Sequence, residues 1–265
     1  MKGIRILFIF IVLWLGSFSG RAKPLSDEDL MQIQFVQKVN SQIRPDLIFR
    51  DETGNRVQLG SVFGKKPVIM MLGYYGCPML CTLVLNGAVK TFQDLKWTVG
   101  DQFDVVFVSI DPNETPILAD EKKRMYVRSY GRGRAEGWHF LTGDTNSIQA
   151  LAKEVGFRFA YDSSSGQFAH PSGLIVLSPQ GKIAGYLFGV TYSAAEINAA
   201  LRNAAVEKAA PSAAPLSLLC FHYTPLTGKY GHLVMAVVRV SGVITLAILA
   251  AVFALSDRRQ SEKPR

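Results

Sequence analysis

Cys77 and Cys81 stand four positions apart in YYGCPMLC, residues 74 to 81, with a proline directly after the first cysteine. That spacing lets both sulfurs reach one metal ion and equally permits a disulfide, so it does not choose between them. PMLCTLVLNGAVKTFQDL reads as a helix that begins at the proline, which puts Cys81 in its first turn and Cys77 just before it. Free N–H groups and the macrodipole at a helix start favour anions, and hence thiolates, the form that attacks disulfides and binds soft metals.

A third donor would favour metal over disulfide, and the chain has four histidines, His139, His170, His222 and His232. His139 alternates with Trp138 and Phe140, the pattern of a structural strand residue. His170 directly precedes PSGLIVL, a strand whose start, in a wound sheet, lies near the ends where helix N-termini and ligand sites collect. From periodicity alone it is a ligand or a hydrogen-bonded packing residue, and both readings stay open.

The ends of the chain indicate where such chemistry would occur. MKGIR, the apolar ILFIFIVLWLG and the small residues behind it follow the order of a secretory signal, expected over residues 1–22. Leu233 to Leu255 is an apolar run of 23 residues whose one charge is Arg239, enough to cross a hydrocarbon core of about 30 Å as a helix. The basic tail, residues 256–265, places the C-terminus in the cytoplasm, so the intervening chain is expected to face the periplasm from the inner membrane. A formal charge of +8 would otherwise suggest nucleic acid, but residues 24–228 hold 19 basic and 19 acidic residues. The basicity therefore belongs to membrane topology, and no nucleic-acid partner is expected. One local cluster, Lys122 to Arg134, reads as a solvated face or as a docking patch for an acidic partner. Three cysteines in an exported chain allow one disulfide and leave one thiol over.

Between the two ends, residues 23–42 carry SDEDLMQIQFVQKVNSQ, expected as an amphipathic helix capped at Ser26 with Leu30, Ile33 and Val36 on one face. LIFRDETGNRVQL predicts a hairpin about DETGN. Alternating strands and helices follow, then a hairpin about SPQG and a last helix in SAAEINAALRNAAVEKA. The pattern defines an α/β domain over residues 43–206, a central mostly parallel sheet with flanking helices and a C-terminal hairpin at its antiparallel edge. Residues 207–232, with the Ala- and Pro-rich KAAPSAAPLS, read as a linker and juxtamembrane segment before the span at 233–255.

GYYGCPMLC, VFVSIDPNETP and HPSGLIVLSPQGKIAGYLFG, in that order, resemble the three landmark blocks of the SCO/SenC family of copper-binding, thioredoxin-like proteins that serve cytochrome c oxidase assembly. The resemblance covers roughly residues 46 to 206. It implies a thioredoxin-like fold, copper as the bound metal, Cys77, Cys81 and His170 as its ligands, and Asp111 with Pro112 in a supporting place. Many members carry an acidic residue after the Cys-Pro, a proline after the second cysteine and an Asp before the His, where this chain has Met79, Thr82 and Ala169. The implied ligands are kept, and the changes bear on partner surface and redox tuning. Two thiolates and one imidazole make a soft site suited to Cu(I), while the metal-free pair could cycle between dithiol and disulfide.

The function implied is that of a membrane-anchored periplasmic copper metallochaperone whose partner is the copper-bearing subunit of cytochrome c oxidase. The alternative is a membrane-tethered thiol-disulfide oxidoreductase using Cys77 and Cys81 as a redox pair. A peroxiredoxin-like thiol peroxidase would need Thr or Ser three residues before the cysteine, where Tyr74 stands. The remaining thiol, Cys220, lies two residues from His222 in CFHYTPLTGKYGH, similar to a block that precedes the C-terminal span of some membrane-anchored relatives. It reads as a second or relay copper site, or as an interfacial aromatic anchor with an incidental thiol.

Overall fold

The continuous apolar runs VIMMLG and DVVFVS predict strands covered on both faces, and every residue of Val68–Gly73 and Asp104–Ser109 is buried. The structure, a computed structural model, describes residues 25–77, 80–209, 219–220 and 231–261, some of them, including Cys81 and Cys220, by backbone alone. The signal expected over residues 1–22 and most of the linker expected over 207–232 lie outside the described residues. In chain order the elements are α1 (Asp27–Gln32), β1 (Ile48–Arg50), β2 (Arg56–Gln58), β3 (Val68–Gly73), α2 (Leu80–Asp94), β4 (Asp104–Ser109), α3 (Pro116–Tyr130), β5 (Trp138–Leu141) and α4 (Thr145–Glu154). They continue with β6 (Ala160–Asp162), β7 (Gln167–Pro171), β8 (Gly173–Leu177), β9 (Ile183–Phe188), α5 (Ala194–Ala205), β10 (Leu219–Cys220) and α6 (Gly231–Ser261).

The main sheet has the order β5-β4-β3-β8-β9. β3, β4 and β5 run parallel, and the β8–β9 hairpin joins β3 antiparallel, which is the mixed α/β sheet expected from the sequence. Alternate side chains of β3 and β4 enter different cores. Ile69, Met71, Val105 and Phe107 pack with Val89 and Phe92 of α2, Tyr126 and Tyr130 of α3, and Ile197 and Leu201 of α5. Val68, Met70, Leu72, Val106 and Val108 pack with Ile148 and Leu151 of α4 and with Phe35, Ile43, Leu47 and Phe49 from the N-terminal stretch.

The helix boundaries follow their caps. The Thr115 hydroxyl accepts from Leu118 N ahead of Pro116, Gly131 ends α3 at φ 74°, Asp144 caps α4, and Ser193 with Glu196 closes a capping box on α5. The Lys122 to Arg134 cluster is largely spent inside the domain. Lys123 pairs with Glu52, Arg124 with Asp120 and Arg134 with Asp101, while Arg132 donates to the carbonyls of Phe92 and Leu95.

Two features depart from expectation. The helix expected across residues 26–42 keeps its cap, with Asp29 N donating to Ser26 Oγ, but ends at Gln32. Beyond it Ile33 and Phe35 are buried while Gln34 is exposed, a period of two. Phe35 packs on Phe157, Tyr186 and Phe188, and Val36 N donates to Gly156 O, so tertiary pairing overrides helix propensity. The second departure is an additional sheet of order β10-β7-β6. Its β6–β7 turn is organised by Asp162, whose carboxylate accepts from Ser164 N and from the hydroxyls of Ser164 and Ser165. Burial pushes the Asp162 carboxyl up, but these hydrogen bonds outweigh it and hold the group below the usual carboxylate range.

The chain divides into two compact units, Met1–Phe221 and His222–Arg265. In the second, Gly231–Ser261 is helical, with side chains described only at residues 236–249, 251 and 252, all exposed. Among the residues described in this way, no helix is long and apolar enough to cross a membrane.

The N-terminal segment is held where a side chain would not fit. Gly156 has φ +65°, and a Cβ there would lie 1.8 Å from Val36 O. Gly156→Ala is therefore expected to destabilise the fold by more than about 1 kcal/mol, read as a lower urea midpoint with unchanged slope.

Candidate metal centre

β3 ends at Gly73, and the chain turns through Tyr74, Tyr75 and Gly76 to Cys77 before α2 begins at Leu80. The two tyrosines anchor this turn on opposite sides of the sheet. Tyr75 is buried against Phe107 and Phe140, its hydroxyl donating to Leu141 O at 2.9 Å and reaching Phe107 O at 3.2 Å. Burial, then the charges of Glu114 and Glu52, push that phenol well above its ordinary range. Tyr74 enters the other core and sets its ring edge-on to Phe168 and to His170, with centroids 5.6 and 6.1 Å apart.

The backbone between them is fixed by a carboxylate that the sequence reading did not single out. Glu114 accepts from Tyr75 N at 2.8 Å, from Gly76 N at 2.5 Å and from Ser109 Oγ at 2.5 Å. Asp111, expected in a supporting place, prepares this arrangement without reaching the turn itself. Its N–H donates to Ser109 Oγ, and its carboxylate accepts from Asn113 N at 2.9 Å and Asn113 Nδ2 at 3.0 Å. The Asx turn so formed brings Glu114 back beneath the Cys77 loop. A signal was present in VFVSIDPNETP, because an acidic residue just before a helix and just after a parallel strand sits beside the neighbouring strand's end. Burial holds Glu114 above the usual carboxylate range, opposed by the hydrogen bonds from Ser109, Tyr75 and Gly76.

Cys77 is half-buried at the edge of the second core, with its N–H 3.4 Å from Tyr74 O. Cys81 is the second residue of α2, in its first turn as expected, and its side chain lies outside the described residues. His170 is 1% exposed. It lies within β7, in the smaller sheet, rather than at the start of the main-sheet hairpin as the sequence suggested. Its ring packs 5.7 Å from Phe157, and its Nδ1 lies 3.0 Å from Pro171 O. A carbonyl only accepts, so this contact puts the proton on Nδ1 and makes Nε2 the unprotonated ring nitrogen.

Ala169, where relatives often carry Asp, is fully buried opposite Ala160. A carboxylate there would lose its hydration, so the apolar residue suits this surrounding. Among the described residues no group of three or more His, Cys, Asp or Glu side chains could hold a metal ion, and the Cys81 side chain is outside them. The structure thus brings His170 into ring contact with Tyr74, which follows the end of β3 and stands three residues before Cys77. Of the expected second site, Cys220 lies in β10 and His222 is outside the described residues, as is Met79 beside the main pair.

A mixed α/β sheet with a cysteine-bearing turn at one strand end and a buried histidine beside it defines a thiol or metal protein of the thioredoxin-like class. The chain belongs to the SCO1/SenC family, whose model matches residues 36–206. A protein of Stutzerimonas stutzeri whose name assigns it copper binding is 27% identical over 123 residues, 45% of this chain and 56% of that protein. The chain thus spans little more than half the length of that relative. A crystal structure of an Aquifex aeolicus VF5 protein named for electron transfer is 28% identical, with a TM-score of 0.57 over 64% of this chain and 95% of that one. BsSco, a member of the Sco family of cytochrome c oxidase assembly proteins with a disulfide switch, is 20% identical and shares the fold, with a TM-score of 0.51 over 65% and 99% of the two chains.

Glu114→Ala removes the acceptor for two backbone N–H groups beside Cys77 and is expected to cost about 1 kcal/mol and to speed alkylation of that thiol. The pH dependence has a definite sign. Because the folded value is raised, folding favours the protonated acid, so this contribution is complete below the ordinary value near about 4.3 and is lost as pH rises through the raised one. Wild type should therefore lose stability across that window relative to Glu114→Gln, which cannot titrate, in urea unfolding at a series of pH values.

Proposed function

We propose that this chain is a copper metallochaperone that holds one copper ion through Cys77, Cys81 and His170 and delivers it to the copper-bearing subunit of cytochrome c oxidase. The observation that carries the reading is the His170 imidazole, buried among aromatic rings beside the Cys77 turn with Nδ1 on a backbone carbonyl. Family membership and the copper binding assigned by name to the Stutzerimonas stutzeri relative support copper as the cargo. The donor set fits it, since thiolates and a neutral imidazole select soft Cu(I) over hard cations.

The chain's own residues would do the following. Glu114 and the two tyrosines hold the Cys77 turn, the start of α2 favours the thiolate of Cys81, and Pro171 O fixes the His170 tautomer. A site of few ligands, one on a half-exposed turn, suits release by stepwise exchange onto a partner's donors. Oxidation of the two thiols to a disulfide would remove the two soft donors together, so the same pair makes loading depend on a reductant.

We further place the chain at the inner membrane, its domain facing the periplasm, with residues 1–22 as signal and residues 233–255 as a single anchoring span. Support comes from the 23-residue run with one charge, the basic tail after it and the helical backbone of Gly231–Ser261.

An anaerobic Cu(I) titration of the full chain in detergent against a competing chelator tests the chaperone reading. One equivalent should bind, and Cys77→Ser, Cys81→Ser and His170→Ala should each weaken it by more than the roughly 10- to 100-fold typical of losing an outer partner. Wild-type binding no tighter than that of the variants would overturn the reading. Diamide-oxidised protein is expected to bind no Cu(I) until reduced.

A further inference from the structure

A cavity of about 390 Å³ is formed by the loop at residues 110–113 after β4, the start of α4 and the β6–β7 hairpin. Phe159, Tyr161 and Phe168 line it, with ring centroids 6.0 Å apart between Phe159 and Phe168 and 5.0 Å apart between Tyr161 and Phe168. Tyr161 is 55% exposed, so part of this aromatic surface is open to a visitor. Phe168 also meets Tyr74 at 5.6 Å, and Tyr74 meets His170 and stands three residues before Cys77. One layer of rings therefore separates the cavity from the residues of the candidate metal centre.

The charge of the cavity is one-sided. Asp111 is the only Asp, Glu, Lys, Arg or His among the lining residues. Asn113 N and Nδ2 both donate to its Oδ1, and among the described residues it enters no ion pair. The one helix start at the cavity, Thr145, is already capped by Asp144. A carboxylate beside exposed ring faces attracts a cation twice over, by ion pairing and by the ring quadrupole. A guanidinium answers both better than an ammonium, because its plane stacks on a ring while its fork reaches the carboxylate.

We infer that this cavity is a docking subsite for an arginine side chain of the copper-receiving partner, held between the Tyr161 and Phe168 rings and the Asp111 carboxylate. This role rests on the chaperone reading above and deepens it by stating what feature of the recipient is grasped. A seated arginine holds the recipient's own donors near the Cys77 turn, and copper then passes by ligand exchange with no change of oxidation state. Charge contacts at the edge of an interface act on encounter and orientation. The subsite should therefore govern how delivery depends on recipient concentration, and leave the affinity for copper alone.

The probe is acetyl-Leu-Arg-amide, with acetyl-Leu-citrulline-amide as its uncharged counterpart, titrated into the isotope-labelled full chain in detergent and followed by NMR. Saturable shifts are expected at Asp111, Tyr161, Gly166 and Phe168, with the citrulline peptide at least fivefold weaker. Tyr161→Leu and Asp111→Asn should each weaken the arginine peptide at least fivefold. Both variants should fold, since Tyr161 is exposed and Asn keeps an Oδ1 acceptor for Asn113. No saturable shift, or equal binding of the two peptides, or variants that bind as wild type does, would overturn the inference. The same variants, loaded with Cu(I), are then mixed with the copper-free soluble domain of the oxidase's copper-bearing subunit. Each should need at least fivefold more of that domain for half-maximal transfer, with unchanged Cu(I) affinity against a chelator. Transfer equal to wild type in both variants would overturn the docking role and leave the chaperone reading standing. Arginine binding retained in a wild-type chain that holds no Cu(I) would overturn the chaperone reading instead.

Discussion

The in-register parallel pairing of β3 with β4, from Val68 against Asp104 to Gly73 against Ser109, is the constraint on which the site depends. Two parallel strands that end at the same level deliver their following loops side by side. One loop carries Cys77 and the other Glu114, and the carboxylate spans the gap to Tyr75 N and Gly76 N. The link from Ile110 N to Gly73 O, 2.7 Å, extends the ladder one step past the strands and keeps the loops from splaying. A shift of register by one residue would move Met70 and Met71 into each other's cores and carry the cysteine turn away from its carboxylate.

The histidine reaches this place by a different route. The β6–β7 hairpin, closed by Asp162 and its serine donors, lays Phe168 against Tyr74 and Tyr161, with His170 two residues further along the same strand. Tyr74, Phe157, Phe159 and Phe168 therefore join two parts of the chain that the main sheet does not connect. Aromatic packing of this kind excludes water from one side of the imidazole and leaves its orientation to the Pro171 carbonyl.

Much of the scaffold was legible from the sequence because local rules and global fold agree there. Continuous apolar runs marked β3 and β4, and DETGN and SPQG marked hairpins. Residues 33–36 were misjudged because MQIQFVQ satisfies a helical period and a strand period at once, and only pairing with Gly156 and Arg158 decides between them. The β6–β7 sheet was missed because its strands are short and half-exposed, although DSSSG is a turn signal. Cys77, Cys81 and His170 were singled out by type, spacing and resemblance. Glu114 escaped because its role is to order a backbone distant in sequence, which residue type does not advertise.

The most direct test of the central claim, that His170 completes a copper site with the cysteine pair through Nε2, is the ¹⁵N resonance pair of the His170 imidazole in the metal-free and Cu(I)-loaded full chain. The account predicts a protonated Nδ1 in both states, as the Pro171 carbonyl requires, and a large copper-dependent shift confined to Nε2. A shift at Nδ1, or no shift at either nitrogen on loading one equivalent of Cu(I), would contradict it.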